Sequence, residues 1–229
     1  VRIGGFQKLT LVDFPGKVAA TVFVQGCNFR CGFCHNPELV DPQFFQAPLS
    51  PGPILDYLND RRGKLEGVVI TGGEPTIQEG LSSFIARIKE MGFAVKLDTN
   101  GSHPEVLLSL LKLNLLDYIA MDIKSSLAKY SQVTGSACDT AKILESIDVI
   151  IKSGIPYQFR TTLVKEFCSE EDLRDIRPLI KEAGHYVLQP FIPSQKMNDL
   201  RFNHQSQYTS IEVEKLKAQY DKCHQERIP

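Results

Sequence analysis

Long apolar runs are missing from this sequence. The longest, around residues 18–24, falls far short of the roughly 20 residues that cross a bilayer, so a membrane partner is set aside. Charge of one sign is missing too: 26 Lys and Arg stand against 27 Asp and Glu, a net charge of -1. A chain so balanced carries no electrostatic footprint for nucleic acid or for an anionic surface. Cysteine is too scarce for a disulfide scaffold, at six in 229 residues. The opening Val1-Arg2-Ile3-Gly4-Gly5 has neither an apolar signal core nor an initiator Met, so it reads as a trimmed or incomplete start of a cytoplasmic protein. Internal repeats, low-complexity stretches and linkers are also lacking.

What remains is ordinary globular composition, 42% apolar and 23% charged. The length suits one αβ domain over residues 1–229, slightly short of the roughly 250 residues of an eight-unit barrel. After a short N-terminal ribbon, near-continuous apolar runs at 19–25, 67–71, 94–98, 118–123, 157–164 and 186–191 read as strands covered on both faces. Amphipathic stretches lie between them, among them Leu81-Phe84-Ile85-Ile88 and Ile143-Ile147-Ile150-Ile151. Ser169-Glu170-Glu171-Asp172 opens a further helix with a cap and an acidic first turn, Gly184 is expected to close it, and a last helix fits 210–224. The Pro-rich 48–53 reads as a loop leading into a helix. Six βα units with right-handed crossovers give an α/β fold, an open partial (β/α)6 barrel with a curled parallel sheet.

Half of the cysteines crowd into Cys27-Asn28-Phe29-Arg30-Cys31-Gly32-Phe33-Cys34, a CxxxCxxC directly after the first of these strands. Gly26 and Gly32 favour a tight loop, so three thiolates can converge on one centre. A closed zinc or iron–sulfur site takes four protein ligands. Three would leave one iron of a [4Fe–4S] cluster free for something else, while a structural zinc site would need a fourth ligand from elsewhere. His35 adjoins Cys34 and suits that part poorly; Cys138, Cys168 and Cys223 are isolated and read as ordinary thiols.

Further chemistry-bearing residues fall at the ends of successive strands, where barrels of this kind place their active sites. Gly72-Gly73-Glu74 combines a backbone that admits close approach with a carboxylate that can accept from an ammonium. Asp98-Thr99-Asn100-Gly101 follows the third strand; by itself it is a cap and a turn. Asp122 and Lys124 alternate onto one face, and Arg160 on the fifth strand fits a carboxylate bidentately.

With these motifs in this order the chain resembles the radical S-adenosylmethionine (SAM) superfamily, and within it the glycyl-radical-enzyme activases. Leu9-Thr10-Leu11-Val12-Asp13-Phe14-Pro15-Gly16-Lys17 and Cys34-His35-Asn36-Pro37 are similar to segments of the activases grouped with anaerobic ribonucleoside-triphosphate reductase. The resemblance runs from about Phe6 to Phe191. It implies one [4Fe–4S] cluster on Cys27, Cys31 and Cys34, with SAM chelating the fourth iron. It implies Phe33 beside the adenine, Gly72, Gly73 and Glu74 at the SAM amino group, and Asp98, Asn100, Asp122, Lys124 and Arg160 around its ribose and carboxylate, Asp98 and Asp122 alternatively sharing a cation. Some activases present a His where this chain has Gln189. Asp13 and His35 become candidates for touching the partner's glycine loop. The implied reaction takes a Cα hydrogen from a glycine of a glycyl radical enzyme, of ribonucleotide reductase or pyruvate formate-lyase type, with flavodoxin or ferredoxin as electron donor.

Two other functions stay open on the sequence. One is a small-molecule radical enzyme resembling 7-carboxy-7-deazaguanine synthases; the other is a zinc-stabilised binding module without catalysis. Arg61-Arg62-Gly63-Lys64 reads as a solvated helix end, and His103, His185, His204 and His224 receive no role.

Overall fold

A computed structural model describes residues 1–193, 197–203 and 207–223. One sheet organises the chain, in the order β1 (Ile3–Thr10), β2 (Ala19–Val24), β3 (Gly67–Gly72), β4 (Ala94–Thr99), β5 (Tyr118–Asp122), β6 (Tyr157–Leu163), β7 (His185–Pro190) and β8 (Lys222–Cys223). From β2 to β7 every pairing is parallel, and antiparallel β1 and β8 form the two edges. Among the described residues those edges do not pair, so the barrel stays open. Each strand expected from sequence is present with bounds shifted by no more than one residue.

The helices are α1 (Pro37–Val40), α2 (Pro51–Asp60), α3 (Leu81–Glu90), α4 (Pro104–Lys112), α5 (Tyr130–Thr134), α6 (Thr140–Ile151), α7 (Glu170–Ile176) and α8 (Ser210–Tyr220). Alternation along the strands divides the molecule into two layers. Val22, Ile70, Leu97, Met121, Phe159 and Leu188 point to the helix side, where they pack with Leu58, Ile85, Ile88, Leu107 and Ile150 in the main core. The opposite face holds a small cluster of Phe14, Ala19 and Val69 with Ala94 and Tyr118 at the strand starts, and polar residues toward the strand ends. Register then places the chemistry: Asp122 pairs with Arg160 across β5 and β6, and Asp98 with Ala120 across β4 and β5.

Three boundaries differ from the sequence reading. α7 ends at Ile176, ahead of Gly184, because Pro178 lacks an N–H and crowds the turn before it. α2 begins inside the Pro-rich 48–53, with proline in its first turn, where the missing N–H costs no hydrogen bond. α8 ends at Tyr220 and gives way to β8; His224 and His204 lie outside the described residues. The basic run from Arg61 is the exposed end of α2, as expected.

Candidate functional site

At the C-terminal ends of β3 to β6 the inward face opens into a cavity of about 220 Å³. One wall is the loop after β2. Cys27, Cys31, Cys34, Phe29, Phe33 and His35 all line it. The loop is pinned by its own backbone: Arg30 Nη1 donates to the carbonyls of Cys27 (2.6 Å) and Phe29 (2.8 Å), and Arg30 N donates to Thr134 O at the end of α5 (2.7 Å). From the far side, Asn198 Nδ2 donates to Cys31 O (3.0 Å) and Asp199 N to Gly32 O (2.9 Å).

None of the three thiols is in a disulfide. Burial pushes each of them up, Cys27 to about 12 and Cys31 to about 11, so they hold their protons until a cation replaces them. Among the described residues no trio of His, Cys, Asp or Glu is grouped closely enough to hold a single metal ion. Zinc draws its thiolates to about 2.3 Å from one point. A four-iron cluster spreads them farther apart, so three free thiols on one cavity wall suit the cluster better than the ion.

Glu74 is only 1% exposed and closes the cavity floor. Its Oε1 accepts from Thr76 N (3.0 Å), Thr76 Oγ1 (2.6 Å) and Thr99 Oγ1 (2.8 Å), and its Oε2 from Asn100 N (2.6 Å). Burial pushes the carboxyl up and these donors pull it back. Glu74 thus ties the end of β3 to the end of β4, a role the sequence did not reveal. The glycines before it are similarly occupied. Gly72 has φ +112° and a Cβ there would strike the Val24 backbone of β2, while a Cβ on Gly73 would overlap the carbonyl of Gly26, so the backbone they admit closely is this chain's own, at the end of β2 and the start of the cysteine loop. Gly73 lines the cavity, and among the described residues its carbonyl receives no hydrogen bond.

Five charges alternate along the inward face. Lys96 pairs with Asp98, Asp98 faces Arg160 Nη1 at 3.5 Å, Arg160 Nε donates to Asp122 (2.8 Å), and Lys124 Nζ lies 3.1 Å from Asp122. Burial opposes charge at Asp122, but Arg160 and Lys124 outweigh it and hold the carboxyl well below its usual range. The same pairing holds Lys124 and Arg160 above theirs, against burial. The row has one cation more than it has anions, so an anionic group entering the cavity completes it. The guanidinium of Arg160 lies between Asp98 and Asp122, where the sequence reading allowed a shared cation.

The remaining expectations divide. Phe33 lines the cavity and packs its ring against Phe167, Phe191 and Phe202. His35 stacks on Phe191 and donates from Nε2 to Ile192 O (2.7 Å). Asn100 lines the cavity, but its amide is engaged by Asn28 and Ser102. Asp13 is not brought to the cavity: it sits beside Phe14 at the strand starts and accepts from Thr21 Oγ1 (2.9 Å). Gln189 is exposed and lines no part of the cavity. The sequence reading overlooked Thr71, which donates to Asp98 (3.3 Å), and Thr162, two residues beyond Arg160 on the same face. Counting by twos from Arg160 would have found Thr162.

The family model of the radical SAM superfamily matches residues 21–177, well over half of the chain. The chain belongs to the radical SAM superfamily. This radical SAM enzyme is 36% identical over 204 residues to a Methanocaldococcus jannaschii protein named as a glycyl-radical enzyme activating enzyme, covering 86% of this chain and 82% of that one. It is 30% identical over 211 residues to the pyruvate formate-lyase-activating enzyme of Clostridium pasteurianum, with 84% and 81% covered. A 7-carboxy-7-deazaguanine synthase of Thermococcus kodakarensis is 26% identical over 193 residues, covering 75% of this chain and 74% of that one. Among solved structures, TYW1 with a lysine-pyruvate adduct bound superposes with a TM-score of 0.63 at 17% identity, covering 88% of this chain and 72% of that one. Streptococcus suis SuiB bound to S-adenosylmethionine gives 0.61 at 14% identity, covering 88% and 48%. Both show the fold. Membership of the superfamily implies a [4Fe–4S] cluster and SAM; among the described residues no helix is long and apolar enough to cross a membrane.

Proposed function

We propose that this radical SAM enzyme activates a glycyl radical enzyme, of anaerobic ribonucleotide reductase or pyruvate formate-lyase type. The observation that carries the reading is the cavity itself: three free thiols, Gly73 with its carbonyl unbonded among the described residues, and a charge row short of one anion meet around one space. The near full-length similarity to activating enzymes supports that choice over other radical SAM chemistry. The whole chain acts as one radical SAM domain.

Cys27, Cys31 and Cys34 hold the cluster. When bound, the cluster would supply the electron for cleavage of SAM to methionine and a 5′-deoxyadenosyl radical, and that radical would leave as 5′-deoxyadenosine carrying the Cα hydrogen of the partner's glycine. The chain's own residues bind and orient. The Gly73 carbonyl accepts from the SAM ammonium, and Lys124 and Arg160 take its carboxylate by charge-assisted hydrogen bonds. Asp98 and Asp122 accept from ribose hydroxyls in this reading. Phe33, backed by its aromatic neighbours, offers an apolar wall to the adenine and excludes water. His35 at the rim suits the incoming glycine segment. Flavodoxin or ferredoxin supplies the electron in a reducing cytoplasm.

Anaerobic reconstitution tests the reading. About four iron and four sulfide per chain are expected, with 5′-deoxyadenosine formed from SAM on reduction. Addition of a candidate partner then gives a glycyl radical signal in electron paramagnetic resonance. Cleavage of SAM with no such signal from a partner of either type would move the assignment to a small-molecule substrate.

A further inference from the structure

Asn100 stands at the meeting point of the cysteine loop and β4. It is 6% exposed, and its Nδ2 lies 4.0 Å from Cys27 Sγ and 2.9 Å from Asn28 Oδ1. Which end of the amide faces the sulfur follows from its neighbours. Ser102 N can only donate, and it lies 3.0 Å from Asn100 Oδ1, so that atom must be the oxygen. The Nδ2 hydrogens therefore face Cys27 and Asn28.

The rest of the network locks this choice. Ser102 Oγ donates to Asn100 Oδ1 (2.6 Å) and accepts from Asn28 Nδ2 (2.9 Å). With its one hydrogen committed, Ser102 Oγ accepts from His103 Nδ1 (2.9 Å), which fixes the histidine tautomer. No rotation of the Asn100 amide satisfies these donors and keeps the oxygen toward the sulfur. Cys27 Sγ has a second donor in Phe29 N, at 3.4 Å.

We infer that Asn100 is a redox-tuning residue, its Nδ2–H donating to the Cys27 sulfur, with Ser102 and Asn28 as the positioning residues that aim it. The inference rests on Cys27 being a cluster ligand. Donors to cluster sulfurs stabilise the more negative, reduced state and so raise the potential. A barely exposed donor acts in a low-dielectric surrounding, where water does not substitute for it.

The test is a potentiometric titration, followed by electron paramagnetic resonance, of the anaerobically reconstituted full chain without SAM. Wild type is compared with Asn100→Leu, which keeps the volume and loses the N–H, and with Ser102→Ala, which leaves the amide in place but unaimed. The ratio of reduced to oxidised cluster at a fixed potential is expected to fall three- to tenfold in Asn100→Leu, about 30–60 mV for a one-electron couple, and by less in Ser102→Ala. In D₂O two exchangeable deuteron couplings to the reduced cluster are expected in wild type, and only that of Phe29 N is expected to stay in Asn100→Leu; a packing role alone would leave both in place. If Asn100→Leu fails to assemble a cluster, Ser102→Ala carries the test. A variant with full iron and sulfide and the wild-type potential overturns the inference while leaving the proposed function standing. A wild-type chain that takes up no cluster overturns both.

Discussion

Position 73 has room for backbone and nothing more. The Gly73 Cα lies against the Gly26 carbonyl, one residue before the first cysteine, so β3 and the cysteine loop meet without a side chain between them. Gly73→Ala has no flexible neighbour to push aside, and overpacking of this kind costs about 1–3 kcal/mol. Denaturant unfolding of Gly73→Ala should show that loss, and its iron content after reconstitution should fall with it, since the displaced segment carries Cys27. The charge row gives a second expectation at this scale. Lys124 ends the row and is the cation in it that acts on all three thiols, and a charge-assisted hydrogen bond contributes about 1.5–3 kcal/mol. Lys124→Met should weaken SAM binding to the reconstituted protein roughly 10- to 100-fold, read by titration of the cluster signal with SAM. Binding unchanged in Lys124→Met would remove the carboxylate role assigned to it.

Helix α7 shows how an element written plainly in the sequence depends on partners that are not. The cap read at Ser169 forms, and Asp172 completes it as a capping box, with Asp172 Oδ2 accepting from Ser169 N (2.9 Å) and Ser169 Oγ (2.6 Å). Asp172 is also buried, and accepts from Ser126 Oγ (2.8 Å) and Lys129 Nζ (2.7 Å) in the segment after β5. Burial pushes its carboxyl up, and Lys129, Ser169 and Ser126 outweigh that to hold it at about 2, below the ordinary 3.8. A carboxyl whose pKa is lower folded than unfolded stabilises the fold above its ordinary value and loses that contribution as pH falls toward 2. The contribution is about 1–2 kcal/mol. Asp172→Asn should lose it at neutral pH, and the gap in unfolding free energy between the two proteins should close between pH 4 and pH 2. Elements such as this were legible because caps, apolar periods and strand runs are local. Strand ends and the cysteine spacing are local too, which is why the sequence named so many of the cavity's residues. Glu74 and Asn100 were named but their contacts were not, because Thr99, which meets Glu74, and Asn28, which meets Asn100, come from other elements. Asp13 was carried to the site by resemblance alone, and nothing in its neighbouring residues indicates which end of the barrel it reaches.

The two ends of the barrel are built oppositely. At the strand ends the inward face is polar and open; at the strand starts it is sealed by Phe14, which the segment after β1 folds under the sheet. Phe14 is 2% exposed, meets Tyr118 at 6.0 Å between ring centroids, and lies on Gly67 at the start of β3, where a Cβ would strike its ring. Because β1 and β8 do not pair among the described residues, no ladder of hydrogen bonds draws the sheet closed, and the plug must hold the inward faces of β2 to β5 at their spacing. The cavity beside the thiols is then blind, entered from the mouth or the unpaired side. Phe14→Ala should cost about 3–5 kcal/mol in unfolding free energy, as loss of a buried aromatic does. Phe14→Leu should recover most of it, because a branched aliphatic fills much of the same space. The cysteine loop is anchored elsewhere, on Thr134 O and on Glu74 N, which donates to the Gly26 carbonyl, so both variants that fold should still take up iron and sulfide. Equal stability of Phe14→Ala and wild type would show that the strand starts pack without the plug.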